Sequence, residues 1–151
     1  MANRVENQLT EPLFKEMQKE RFVTLATVDY ETGGPNVHAL SWIMAKNEKT
    51  IYFAVESHSR IIQNIKENNQ VIVHIIADES AYSIAGNTII KEDVLNHLPL
   101  KLTLVSMRID EVRDVMFYGA KMTVQPHYDK TYDLEAASRL DDQVMDAMKK
   151  A

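Results

Sequence analysis

Apolar and polar positions along this chain change period several times, and each change marks a boundary between elements. Leu9, Leu13 and Met17 recur every four residues around Thr10-Glu11-Pro12. A hydroxyl N-cap followed by an acid and a proline predicts a helix there. Phe22 to Asp29 (FVTLATVD) is β-branched and aromatic and predicts a strand, and Tyr30 to Pro35, with Gly33-Gly34, predicts the turn that folds the next strand back. Val37 to Ala45 and Thr50 to Val55 read as two strands around a tight turn at Lys46-Asn47-Glu48-Lys49. From Ser59 the spacing becomes helical, with Ile61, Ile62 and Ile65 on one face. Gln70 to Ala77 (QVIVHIIA) is almost continuously apolar, the pattern of a strand buried on both faces or set in a barrel wall.

The second half repeats the strand pattern and then abandons it. Ala81 to Lys91 is a strand with Gly86 in its middle, where a bulge, a sharp barrel bend or close approach of a ligand would explain glycine. Asp93 to Leu98 suggests a short helical turn closed by Pro99. Leu100 to Val115 is long for one strand, and its alternation changes phase near Val105, from Leu102 and Leu104 to Met107 and Ile109, which predicts a bulge or a bend. Val115 to Val124 reads as a last strand interrupted by Gly119. From about 133 to 150 the chain turns helical: Asp133 caps, and Leu134, Ala137, Leu140, Val144 and Met148 form a stripe.

These elements predict a mainly β (α+β) fold. Six or seven antiparallel strands joined by short turns must close on themselves to protect their edges. The expectation is a small Greek-key or split β-barrel with helices at both termini and one short helix inserted after the third strand. A chain of 151 residues is most simply one domain over 1–151, large enough for a sizeable core.

Composition narrows the function by exclusion. The chain has no cysteine, which removes thiol catalysis and thiolate metal sites. No segment approaches the roughly 20 apolar residues of a membrane helix, and MANRVENQLTEPLF is too polar for a secretory signal, so a cytoplasmic protein is expected. Lys and Arg number 17 against 22 Asp and Glu, a formal net charge of −5, with no basic run; a general nucleic-acid role is not expected. The patterns GxGxxG, P-loop, HExxH and GxSxG are absent, and His58, His97 and His127 have no metal-ligand spacing.

The candidate chemistry gathers between Pro35 and Asn68. A strand runs into a helix whose start carries Ser57, Ser59 and Arg60, a place where free N–H groups and a guanidinium suit an anion such as a phosphate. Trp42, the one tryptophan, suits either a buried anchor or a pocket wall, and His38 either a strand position or a proton donor. His74, inside an apolar strand, reads as a hydrogen-bonded core histidine.

In order and spacing, Phe22-Val23-Thr24-Leu25-Ala26-Thr27, Gly34-Pro35-Asn36-Val37, Thr50-Ile51-Tyr52-Phe53-Ala54, Ser59-Arg60 and Asn64-Ile65 through Asn68 and Val71 resemble the pyridoxamine 5′-phosphate oxidase-like family, the FMN-binding split barrels. The likeness extends less distinctly through Ile84-Ala85-Gly86 to Phe117-Tyr118-Gly119-Ala120-Lys121. It implies a homodimer with FMN at the subunit interface and a small-molecule substrate. His38, Ala39, Leu40, Ser41 and Trp42 would follow the isoalloxazine ring, Val55 would approach the ribityl chain, and Ser57, Ser59 and Arg60 would hold the phosphate. Phe117, Tyr118 and Lys121 are the residues a second subunit would add. The implied activity is electron transfer from a reduced nicotinamide to a small organic acceptor. The alternatives are a non-catalytic module holding flavin, the deazaflavin F420 or haem, and an interaction domain with a vestigial pocket. Two positions depart from the family pattern: Ile61 stands where many relatives carry lysine, and the tail TYDLEAASRLDDQVMDAMKKA lacks the Trp, Arg and His of the substrate segment in true pyridoxamine-phosphate oxidases.

Overall fold

Short turns between apolar strands produce a strongly coiled antiparallel sheet. The computed structural model describes residues 5–151, so residues 1–4 of the expected domain lie outside the description. The elements are β1 (Val5–Glu6), α1 (Glu11–Glu16), β2 (Val23–Val28), β3 (Pro35–Leu40), β4 (Ile43–Asn47) and β5 (Thr50–Glu56). They continue as α2 (Arg60–Glu67), β6 (Gln70–Ala77), β7 (Ser80–Glu92), β8 (Leu102–Asp114) and α3 (Leu134–Lys150). Strands neighbour one another in the order β3-β2-β6-β7-β8-β5-β4, every pair antiparallel, with β1 added beside β8.

The two ends of that path, β3 and β4, are consecutive in the chain, and only Ser41 and Trp42 separate them. So short a link forces the sheet to coil until its edges converge, while no ladder joins β3 to β4 among the described residues. The barrel therefore carries an open seam, as a split barrel does. The expected single strand Val37 to Ala45 is in fact two, because the chain leaves one sheet edge for the other at this link. Its carbonyls are paired: Ser41 accepts from Ile43 N–H at 3.0 Å and Trp42 from Ala54 N–H at 3.0 Å.

Two apolar layers enclose the β4-β5-β8 wall. Ile43, Ile51, Phe53, Val105, Met107 and Ile109 turn into the barrel, which α1 plugs with Leu13 and Met17 and α2 closes with Ile61, Ile62 and Ile65. Met44, Tyr52, Ala54, Leu102 and Leu104 face outward against Val144, Met145 and Met148 of α3. This double burial explains the change of phase near Val105. β8 pairs with β5 without a break from Leu102 to Arg108, and the register shifts lie against β7, between Ile90 and Glu92 and between Ala85 and Gly86. Gly86 fulfils the expectation of a bulge, since the register shifts beside it, and the partner backbone crowds it: a Cβ there would lie 2.2 Å from the Arg108 carbonyl oxygen.

Three local expectations need correction. Val115 to Val124 is not a strand: Asp114 accepts from the Met116 N–H at 3.0 Å and Gly119 takes φ +90, and both turn the chain out of the extended state. Asp93 to Leu98 forms bends and a turn with His97 at φ +65, not a helical turn. In α3, Leu134 is exposed while Ala137, Val144 and Met148 are buried, because the stripe meets the sheet only after its first turn. His74 is half-buried and lies 3.3 Å from the Thr24 hydroxyl.

Candidate functional site

The seam between the sheet edges opens into a cleft of ≈ 400 Å³. One side is the edge strand β3 with its exit, His38, Ala39, Leu40, Ser41 and Trp42. Ala54, Val55 and Glu56 of β5 form the other side, and Ser59 and Ile61 at the head of α2 close one end. Thus the run expected to follow a flat ring, the residue expected near a ribityl chain and one of the expected phosphate residues all meet in one place. As an edge strand, β3 presents alternate backbone N–H and C=O groups that no neighbouring strand takes. His38 adds a buried Nδ1 that has no hydrogen-bond partner. A planar ligand with polar edges would find both an apolar wall and unpaired donors and acceptors here.

The head of α2 is built differently from an open anion cradle. The Ser59 hydroxyl caps its own helix, accepting from Ile61 N–H at 3.1 Å, and Ile62 N–H donates to the Ser59 carbonyl at 3.1 Å. Ser57 lies outside the cleft lining; its hydroxyl donates to the Lys101 carbonyl at 3.2 Å. Arg60 also lies outside the lining. Its Nε donates to Asp29 Oδ2 and its Nη2 to Glu31 Oε1, both at 2.9 Å, and its guanidinium covers the Tyr30 ring with Cζ 4.8 Å from the centroid. Asp29, 6 % exposed, also accepts from the N–H groups of Thr32 and Glu31. Those two backbone bonds, then Arg60, hold its carboxyl at about 2. Behind it the fully buried Asn64 receives Tyr30 N–H and donates to Thr27 and Asn36, each at 2.9 Å.

Trp42 is anchored from the far end of the chain. Its indole N–H donates to Asp141 of α3 at 2.8 Å, and Lys130 bridges Asp141 at 3.0 Å and Glu20 at 3.3 Å. Tyr128 donates to Glu20. Burial and a hydrogen bond with Asp141 push the Glu20 carboxyl up; against the effect of its own burial, bonds from Glu20, Trp42 and Lys130 hold Asp141 down. This strap over 115–133 and α3 was not legible in the sequence, since nothing local pairs Trp42 with a residue so distant. Glu56 and Ile61 of the cleft were likewise unflagged as lining residues. Phe117 and Tyr118 are exposed on the loop after β8, and Lys121 pairs with Glu79 at 3.1 Å; none of the three lines the cleft. Among the described residues no group of His, Cys, Asp or Glu is placed to hold a metal ion, and no helix is long and apolar enough to cross a membrane.

A split barrel with a cleft at its seam and a helix head at the cleft's end defines the class of split-barrel proteins. Within that class the sequence profile for pyridoxamine 5′-phosphate oxidase matches residues 9–115, most of the chain, so the protein belongs to the pyridoxamine 5′-phosphate oxidase family. A solved structure from Lactobacillus delbrueckii, provisionally assigned as a pyridoxamine 5′-phosphate oxidase, is 24 % identical with a TM-score of 0.61, covering 74 % of this chain and 98 % of its own. An F420 reductase is 18 % identical, covering 67 % of this chain and 95 % of its own, with a TM-score of 0.53. HutZ, a haem storage protein of Vibrio cholerae, is 20 % identical, covering 74 % and 94 %, with a TM-score of 0.51. At these identities the likeness is one of fold. No curated protein matches the chain in sequence.

The residues fit the two ends of an FMN unequally. The cleft offers a ring an apolar wall and a free strand edge. For the phosphate it offers a self-capped serine, and the neighbouring arginine is already committed to two carboxylates.

Proposed function

We propose that this chain binds a flavin in the seam cleft and works as an oxidoreductase, passing electrons from a reduced nicotinamide to a small organic acceptor. The observation that carries the reading is the convergence of His38 to Trp42 with Val55 and Ser59 around one cleft of ring-binding character. Family membership makes FMN the first cofactor to test. The flavin supplies the redox chemistry; the protein's part is to hold the ring against β3, to present hydrogen-bonding groups at its edge and to limit water there. His38, which lines the cleft, is suited to donate to or accept from a ring heteroatom. A homodimer belongs to the same proposal, with Phe117 and Tyr118, 71 % and 95 % exposed, as apolar surface for a partner.

The test is direct. Purified protein is incubated with FMN, desalted and scanned for flavin absorbance, then given NADH or NADPH and an added acceptor. Flavin that co-elutes and cycles at a steady rate supports the proposal, whereas a colourless eluate from folded protein refutes it. A second reading, a non-catalytic module for flavin, F420 or haem, draws on the fold neighbours that include an F420 reductase and a haem storage protein. Its marks are a bound chromophore without turnover and, for haem, a Soret band.

A further inference from the structure

The arginine beside the cleft is matched with acids of its own chain. Arg60 makes one hydrogen bond to the buried Asp29 and one to Glu31, and stacks over Tyr30. The cleft lining contains no Lys or Arg, and its one charged side chain is Glu56. Where a second cation would stand one residue on, Ile61 points into the core and is 3 % exposed. A terminal phosphate at the head of α2 would bring up to two negative charges near Glu56, Asp29 and Glu31, with no Lys or Arg in the cleft lining to meet them. Drawing Arg60 away would leave Asp29 buried with only its backbone donors, a cost that any phosphate contact must first offset.

We infer that the cleft selects its ligand by the ring and not by a phosphate tail, so that phosphate-free flavin is bound about as well as FMN. This rests on the flavin reading above and specifies the ligand class. The Asp29-Arg60-Glu31 trio is then a structural clasp between the β2–β3 turn and α2, and the ligand it leaves room for is a flat heteroaromatic with an uncharged side chain.

The experiment compares riboflavin with FMN by isothermal titration on the full chain at low and high salt. The expected result is dissociation constants within about threefold of one another, with FMN binding unchanged or tightened by salt, since added ions screen repulsion. A clamped phosphate is worth about tenfold or more in affinity. FMN binding tenfold tighter than riboflavin, and weakened by salt, therefore overturns the inference while leaving the flavin reading intact. Failure of both flavins to bind folded protein overturns both together. Two variants separate the causes. Glu31→Gln, at an exposed position, removes one of the two carboxylate charges that offset Arg60 and is expected to improve FMN several-fold with riboflavin unchanged. Glu56→Lys puts a cation on the cleft rim and is expected to raise the ratio of FMN affinity to riboflavin affinity about tenfold. If both variants keep the parent's melting temperature and neither shifts the FMN-to-riboflavin ratio, charge does not govern selection and the inference falls.

Discussion

Gly86→Ala tests the packing on which the barrel depends. Gly86 lies in β7, and its partner strand β8 shifts register opposite it, so the Arg108 carbonyl comes within 2.2 Å of where a Cβ would stand. Relaxed contact between carbon and a carbonyl oxygen is about 3.3 Å, so roughly 1 Å of movement is required. The Met107 Cε, at 2.9 Å, ends a flexible side chain and can swing aside. Arg108 cannot, because its backbone pairs with Asn87 on one side and Thr50 on the other. Overpacking costs about 1–3 kcal/mol, and a backbone obstruction held on both flanks puts this case at the upper end, about 3 kcal/mol. For a chain of this length each kcal/mol moves the melting temperature by about 2–4 °C, so the expected fall is about 6–12 °C. Thermal and urea unfolding, followed by circular dichroism and by Trp42 fluorescence, measure it, and agreement between the probes establishes a single transition. A loss below about 1 kcal/mol would refute the close-approach argument. Gly33→Ala is the contrast: φ is +75 with nothing within 4 Å, so only backbone strain of about 1–2 kcal/mol applies.

Four further outcomes are expected. Asn64→Leu leaves Tyr30 N–H and the Thr27 hydroxyl without their buried partner and should cost about 3 kcal/mol in urea unfolding; a cost under about 1 kcal/mol would remove the network's structural role. Asp141→Ala removes the indole's acceptor and should change the emission maximum and quencher access of Trp42, whereas Asp141→Asn, which keeps an acceptor oxygen, should change them less; identical spectra would show that the strap does not set the indole. Asp29 is depressed to about 2 from its ordinary value of 3.8, so the unfolded chain binds its proton first as pH falls. The stability Asp29 contributes is present above the unfolded value and lost as pH drops through the folded one, and Asp29→Asn should flatten that part of an acid-unfolding curve. Glu20 has the opposite sign: its raised carboxyl favours the folded state while protonated, so its contribution declines as pH rises through the folded value, a slope that Glu20→Gln should remove.

Alternation and period were enough to place most of β2, β5, β6 and β7 and all three helices, because each is defined by neighbours a few positions away. The head of α2 at Ser59 was legible for the same reason, as a helix start, whereas the run His38 to Trp42 was marked by the family resemblance. What sequence did not convey was where strands change partners. Nothing in Ser41-Trp42 signals that the chain passes there between opposite edges of the sheet, and that passage creates the cleft. The alternation of β8 looked like a bulge near Val105 because a one-dimensional pattern cannot show α3 covering the outer face of the same strand. Arg60 read as an open cation because Asp29 and Glu31 lie some 30 positions away in the chain yet adjacent in space. Local periodicity determined the elements; long-range pairing decided where the cleft lies and which charges are free there, since electrostatic and hydrogen-bond partners are chosen by proximity in the folded barrel rather than along the chain.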